Sequence, residues 1–170
     1  GEFGLKTKFG IVSFVSIQQM YHAIKVLEFT NNLNKEARVL EIGAGLGLSA
    51  YHARNFGIKD YIIIDLSLGS LSQSFFLAST IGEDNIIIGD EILNYKSTEE
   101  NFKNKLKLIP SSSLSLVSDN IDLVINCDSI TEMSKEDAVV YVKLAVKKSK
   151  YFLSINHDNN NFKISEILSD

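Results

Sequence analysis

The sequence predicts an α/β fold with a doubly wound, mostly parallel sheet. Three observations predict it. Short apolar runs alternate with longer segments of helical spacing. The short runs are continuous rather than alternating, the pattern of strands covered on both faces. The chain has 170 residues, the size of one domain. Alternating strands and helices build βαβ units with right-handed crossovers, and a ligand site then lies beyond the carboxyl ends of the strands.

Gly1-Glu2-Phe3 is set aside as a cloning scar. Ser13 to Thr30 carries Phe14, Ile17, Tyr21, Ile24, Leu27 and Phe29 at spacings near three to four, an amphipathic helix. Arg38 to Ile42 is a buried strand running into a glycine cluster, and Leu48 to Phe56 is the helix after it, stopped by Gly57. Tyr61 to Ile64 is a second strand ending at Asp65, followed by a helix from Leu68 to Thr80 that closes at Gly82. Asn85 to Ile88 is a third strand, ending at Gly89-Asp90. Thr98 to Leu108 reads as a charged helix broken by Pro110. Ile121 to Asn126 is a fourth strand. Ser134 caps a helix running to Lys148, with Asp137 as its capping-box acid. Tyr151 to Asn156 is a fifth strand, and Phe162 to Leu168 is at most a short helix. The whole is one domain, with its core between residues 37 and 157.

Charge and cysteine content disfavour several function classes. Lys plus Arg is 17 and Asp plus Glu is 21, a net charge of −4, whereas binders of nucleic-acid backbones are normally basic. The one cysteine, Cys127, forms neither an internal disulfide nor a multi-cysteine zinc site, so a reducing cytoplasm is the expected compartment. The apolar run Ile11 to Val15 is too short for a membrane span.

The strongest motif is Glu41-Ile-Gly43-Ala44-Gly45-Leu-Gly47, directly after the first strand. Alternate glycines let the backbone turn tightly and approach a ligand, and the helix that follows offers free N–H groups. A dinucleotide fingerprint would need glycine at position 48, which is Leu48. A glutamate at the strand end repels a pyrophosphate but pairs with an ammonium, so a ligand with a cationic amino-acid portion is expected. Asp65 ends the next strand, where an acid accepts ribose hydroxyls. Asp90 and Glu91 follow the third strand. Asp90 is placed to accept from an adenine amino group, with Leu66 and Ile92 as covers for the ring. An ordinary polar loop is the competing reading.

Glu-x-Gly-x-Gly-x-Gly with Asp65 downstream resembles the class I S-adenosylmethionine-dependent methyltransferases. Val39 to Gly47, Tyr61 to Leu66, Leu71 to Leu77 with Gln73, Asp122 to Asn126, Ser129-x-x-Glu132-Met133 and Ser154-Ile-Asn156 resemble more narrowly the sugar O-methyltransferases. The resemblance spans about residues 37–157. It implies a Rossmann-like fold and S-adenosylmethionine as cofactor, with S-adenosylhomocysteine as product. Carried over by position, Glu41 and Gly43 to Gly47 hold the methionine portion, Asp65 the ribose, and Asp90 and its neighbours the adenine. Asn126 to Ser129 line the transfer site. The implied acceptor is a sugar, a glycan precursor or another small molecule. A complete fold of this class adds an antiparallel edge hairpin after the fifth strand. With 14 residues after Asn156, that hairpin is expected to be absent, which leaves an edge that a second copy of the chain could cover.

A sugar hydroxyl is a poor nucleophile and gains from a general base. His157, at the carboxyl end of the fifth strand, is the first candidate, against the reading of a solvated loop histidine. Asp128 and Glu132, past the fourth strand, are candidates as base or as ligands of sugar hydroxyls. Glu132 reads equally as a helix N-terminal acid. No metal site is assigned; Asp128, Asn156 and Asp158 are the weighed oxygen set, without a supporting spacing. His22 and His52 read as surface or packing residues, and Cys127 as a small residue at a strand end. Three rivals remain. A nucleic-acid methyltransferase is disfavoured because Asn126-Cys-Asp-Ser has no proline. A cofactor-binding module without turnover is the second. A nicotinamide dehydrogenase is opposed by Leu48.

Overall fold

The computed structural model describes residues 4–8, 10–31, 36–96, 99–117, 120–157, 159–160 and 162–169. A small antiparallel hairpin, β1 (Leu5–Thr7) and β2 (Gly10–Val12), opens the chain and was not expected from the sequence. Helix α1 (Phe14–Asn31) follows. Then come β3 (Val39–Ile42), α2 (Leu48–Asn55), β4 (Tyr61–Asp65), α3 (Ser67–Ile81) and β5 (Ile86–Ile88). The second half holds α4 (Glu100–Lys103), β6 (Leu106–Pro110), β7 (Ile121–Cys127), α5 (Lys135–Lys148), β8 (Ser149–Ile155) and α6 (Ile164–Leu168).

The main sheet has six strands in the order β5-β6-β4-β3-β7-β8, all parallel. Residues alternate between two cores, as the strand period of two requires. Val39, Tyr61, Ile63, Leu106 and Leu108 face Ala23, Val26, Ala50, Ala53 and Leu77 of α1, α2 and α3. Leu40, Ile42, Ile62, Ile64 and Val124 face Ala138, Val142, Ala145, Ile164 and Ile167 of α5 and α6. Both faces are covered, so the strand sequences are mostly apolar rather than alternating. Each fully buried isoleucine contributes roughly 1.5–3 kcal/mol.

Most predicted elements stand within a residue or two. Gly57 (φ 101) ends the first turn beyond α2, and Ser134 Oγ accepts from the Asp137 N–H at 3.1 Å, capping α5. The Asp137 carboxylate in turn takes the Ser134 hydroxyl proton at 2.8 Å. After β8, among the described residues, only α6 follows and β8 forms the sheet edge.

Two expectations are overturned. The stretch Thr98 to Leu108 is not one helix. Thr98 lies outside the described residues, α4 is one turn, and Leu106–Pro110 is a buried strand between β4 and β5. Lys107 disguised it, because a charged residue is not expected inside a buried strand. Its side chain is buried, and its ammonium donates to Asp60 Oδ1 at 2.6 Å and to the Lys105 carbonyl at 3.0 Å. It also lies 4.4 Å from the Phe102 ring centroid. Arg38 Nε takes the other Asp60 oxygen at 2.8 Å. The second correction concerns α1. The helix buries His22, Ala23, Val26 and Thr30, and leaves the apolar stripe Phe14, Ile17, Tyr21, Ile24 exposed, Phe14 at 69%. Small residues let α1 approach α2 and the sheet closely, and that contact decided which side faces in.

Burial pushes Lys107 down to about 8 against the pull of Asp60. Its unfolded value is about 10.4, so between pH ~8 and ~10 the unfolded chain holds more protons and stability rises with pH. In Lys107→Met that rise disappears. Asp60→Asn strands the buried ammonium and should cost about 3–5 kcal/mol, more than Lys107→Met, which leaves Asp60 with Arg38. Urea denaturation of both variants at pH 7 and 9.5 checks the pair.

Candidate active site

The carboxyl ends of β3, β4 and β7 open into a cavity of about 350 Å³. Glu41, Gly43, Ala44 and Gly45 enter it from β3 and the turn behind it. Asp65 and Gly69 come from β4 and α3, Gln19 from α1, and Cys127, Asp128, Ser129 and Glu132 from β7 and the turn after it. A larger cavity, about 610 Å³, lies at the amino-terminal ends of the strands between Glu36, Lys59, Asp60, Glu100 and Lys103. Ligands of open parallel sheets bind beyond the carboxyl ends, so the smaller cavity is the candidate site.

The turn after β3 needs its glycines for different reasons. Gly43 (φ 71) has no room for a side chain, since a Cβ would overlap Ser129. Gly45 (φ 57) would meet nothing; its left-handed backbone is what requires glycine, and the space above it stays open. Gly47 (φ 83) sits outside the cavity, where a Cβ would come within 3.1 Å of Leu77. It serves the packing of α2 on α3.

Glu41 is 1% exposed. Tyr61, also buried, donates its hydroxyl to Glu41 Oε2 at 3.0 Å. Burial raises the Glu41 carboxyl to about 7, and the charge of Asp65 adds to the rise. Among the described residues no lysine or arginine pairs with it.

Asp65 is already well engaged. Its Oδ1 accepts from the Leu66 N–H at 2.8 Å, and its Oδ2 accepts from the Ala44 N–H at 3.1 Å and from Gln73 Nε2 at 2.6 Å. Gln73 Nε2 also donates to the Gly45 carbonyl at 2.9 Å, so one buried amide ties the acid to the glycine turn. The Gln73 Oε1 has no partner among the described residues. A carboxylate has about four acceptor positions, and three are filled. Two ribose hydroxyls fit together only if Gln73 gives up one of its bonds. Gly69 lets the first turn of α3 close on Asp65, where a Cβ would stand 2.7 Å from Oδ1.

On the far side, Asp128 adopts a left-handed backbone (φ 57), which aspartate tolerates better than most residues. Its Oδ1 accepts from the His157 N–H at 2.9 Å, and its Oδ2 accepts from Gln18 Nε2 at 3.3 Å. His157 Nε2 lies 3.5 Å from Oδ2, with the ring 74% exposed.

The structure thus gathers Glu41, Gly43, Ala44, Gly45, Asp65, Asp128 and Glu132 around one cavity, with His157 reaching its rim through Asp128. It does not bring Gly47, Leu66, Asp90, Glu91 or Asn126 to the lining. Leu66 is 70% exposed, and Ile92 is buried in the core beneath the sheet, so the two do not sandwich a ring. Asp90 and Glu91 follow β5, which β6 separates from β4; Asp65 stands beside Pro110 instead. Asn126 is fully buried and donates to the Ile42 carbonyl at 3.2 Å and to Ser129 Oγ, while accepting from Ser154 at 3.3 Å. It joins three strand ends.

Asp158, in the weighed metal set, lies outside the described residues, and the Asn156 amide is taken up by Thr131 and Ser154. Cys127 lines the site, but burial pushes its thiol well above the ordinary range. His22 is a buried packing residue, pushed down by burial. Sequence reasoning missed Gln18, Gln19, Ser49 and Gly69. The glycine inside a helix was the one available signal, since it costs roughly 0.5–1 kcal/mol and marks a close approach.

No family model and no curated protein sequence matches the chain. Solved structures match it in fold. The mitomycin 7-O-methyltransferase MmcR superposes with a TM-score of 0.56 at 12% identity, over 89% of this chain and 40% of that one. The glycopeptide N-methyltransferase MtfA, complexed with sinefungin, gives 0.52 at 14% identity, over 89% and 59%. A Thermoplasma acidophilum protein gives 0.54 at 14% identity, over 91% and 74%. The chain spans 40–59% of the length of these two methyltransferases. The fold is that of the class I S-adenosylmethionine-dependent methyltransferases.

The Glu41 carboxyl makes a pH-dependent demand on the fold. With a folded value near 7 against 4.5 unfolded, the folded chain holds more protons between those limits, so stability falls as pH rises through that window. Glu41→Gln should therefore be about as stable as the parent at pH 4.5 and more stable at pH 8, by up to ~3 kcal/mol. Denaturation midpoints at the two pH values check it.

Proposed function

We propose that the chain binds S-adenosylmethionine and directs its methyl group to a hydroxyl of a sugar or glycan precursor. One observation carries this reading: a buried, unpaired carboxylate, Glu41, beside an open glycine turn and one strand away from the acid Asp65. The residues fit the cofactor. Glu41 takes its ammonium, the Gly43–Gly45 turn leaves room for the chain of the methionine portion, and Asp65 takes the ribose. When bound, the sulfonium supplies a methyl already activated for in-line displacement. The protein's part is then mainly positioning.

Asp128 and His157 form the candidate base pair. Asp128 fixes the His157 backbone and stands within reach of its ring nitrogen. A short closure places the imidazole to accept the acceptor's hydroxyl proton, with Asp128 stabilising the imidazolium. Glu132, on the same side of the cavity, is the candidate ligand for neighbouring sugar hydroxyls. The acidic balance favours a small-molecule or glycan acceptor over nucleic acid, and the single cysteine favours a cytoplasmic setting. No helix of the described residues is long and apolar enough to cross a membrane.

Calorimetric titration with S-adenosylmethionine and S-adenosylhomocysteine, with NAD beside them, tests the reading. Micromolar binding of the first two, none of NAD, and a loss of at least tenfold in Asp65→Ala are expected. A folded chain that binds neither would sink the proposal. His157→Ala should leave cofactor affinity unchanged and lower methyl transfer to a saccharide acceptor by about 10²–10⁴-fold. A rate within twofold of the parent would remove His157 from the chemistry.

A further inference from the structure

Helix α3 packs its inner side on β4, β6 and β5, at the opposite end of the sheet from the open β8 edge. Its outer side is apolar. Phe75 is 78% exposed and Leu68 76%, the two most exposed large apolar side chains among the described residues. Leu71 is exposed beside them, as is Leu66 just before the helix. Leu46, from the glycine turn, joins Leu71, Phe75 and Phe76 in lining a groove of about 550 Å³. The projecting Phe75 ring and the groove therefore belong to one face.

No charged residue occurs between Asp65 and Glu83. A solvated helix face is normally charged, as that of α5 is with Lys135, Glu136, Lys143 and Lys147. On α3 the exposed polar residues are serines and a threonine, already bonded within the helix. Ser72 Oγ donates to the Leu68 carbonyl at 3.2 Å, Ser79 Oγ to the Phe75 carbonyl at 2.7 Å, and Thr80 Oγ1 to the Phe76 carbonyl at 2.9 Å. A carbonyl only accepts, so these hydroxyl protons are committed. Water can leave the face without stranding them, which removes the usual cost of burying a polar group.

The chemistry of the face narrows what covers it. Anionic lipid surfaces and nucleic acids are met by lysine and arginine. This helix has none, and acids flank it, Asp65 on one side and Glu83 and Asp84 on the other. A charged protein surface would lose water here and gain no counter-charge. A second copy of this chain brings the same neutral face and repels nothing. Area agrees. At their exposures Leu46, Leu66, Leu68, Leu71 and Phe75 offer on the order of 600 Å². A homodimer contact takes roughly 800 Å² per partner, about 65% of it apolar.

We propose that two copies of this chain associate through the outer face of α3 about a twofold axis, each Phe75 ring seated in the groove of the other copy. Such a contact is isologous, so a ring and a groove on one face satisfy each other in both directions. It does not rest on the S-adenosylmethionine reading. The inner side of the same helix carries Gln73, which holds Asp65, so the contact lies behind the candidate site rather than across its mouth.

Sedimentation equilibrium of the full chain between 1 and 100 μM tests the proposal. The expected mass is twice the 18.9 kDa of one chain. Phe75→Glu should give one-chain mass, with the dissociation constant raised at least about 30-fold, the loss typical of an aromatic anchor. Leu71→Ser should weaken association in the same direction if the glutamate variant does not fold. Phe14→Glu on α1 and Tyr151→Glu on the β8 edge should leave the dimer intact. Phe75→Lys alone should also be monomeric, and an equimolar mixture with Phe75→Glu should regain two-chain mass, because the face meets itself. A parent that stays monomeric at 100 μM overturns the proposal. So does a dimer that survives Phe75→Glu, one that Phe14→Glu or Tyr151→Glu dissociates instead, or a mixture that stays monomeric.

Discussion

Glu41 stands on the central strand with the sheet on either side and helices above and below, and among the described residues it has no cation beside it. Taking an ionised carboxylate out of water without a partner is among the most expensive things a fold can do. Here one phenol hydroxyl at 3.0 Å and a shared serine offset only part of that cost, so the group moves toward its neutral form instead. The rest of the site is arranged around this residue. The glycine turn begins two positions later, α2 starts where Ser49 can reach back, and α1 lies over both.

The strand ends around Glu41 are held by polar groups rather than apolar ones. Asn126 and Ser129 both donate to the Ile42 carbonyl, the latter at 2.6 Å, and Ser154 and Asn156 extend the chain of bonds to β8. Gly43 is pressed against Ser129 by the same network. On the other side, Gln73 fastens Asp65 to the glycine turn with bonds of 2.6 and 2.9 Å. Two buried amides thus fix the distance from Glu41 to Asp65 and from Glu41 to Asp128.

The fold was legible wherever a mostly apolar run was closed by glycine or an acid. Val39–Ile42, Tyr61–Asp65 and Ile121–Cys127 bury nearly every residue, and their runs, closed by glycine or acid, read directly. Leu106–Pro110 was not legible, because Lys107 is buried only by virtue of Asp60, a residue 47 positions away. That strand also lies between Asp65 and the adenine candidates: Pro110 of β6 stands beside Asp65, and Asp90 follows β5 one strand further out. The site was legible where one local motif carries it, as with Glu41 to Gly45 and Asp65. Gln19 reaches the cavity, Gln18 bonds Asp128 and Ser49 bonds Gln19 only through the packing of α1, which no periodicity encodes. The stripe of α1 with the best helical spacing is the exposed one, so spacing pointed away from the contact.

The molecule buries charge at both ends of its sheet, and the two ends are handled in opposite ways. At the amino-terminal end, Asp60 meets Lys107 at 2.6 Å and Arg38 at 2.8 Å, so the carboxylate has its counter-charges within the chain. At the carboxyl-terminal end, Glu41 has none among the described residues, though it is the more deeply buried of the two. The same chain therefore shows what a carboxylate in its core needs and withholds it at one place. The larger cavity sits at the neutralised end, and the smaller one at the end left uncompensated. Volume alone would put a ligand at the first. The chain's own charges balance the first, and the second keeps a buried carboxyl with no cation beside it among the described residues.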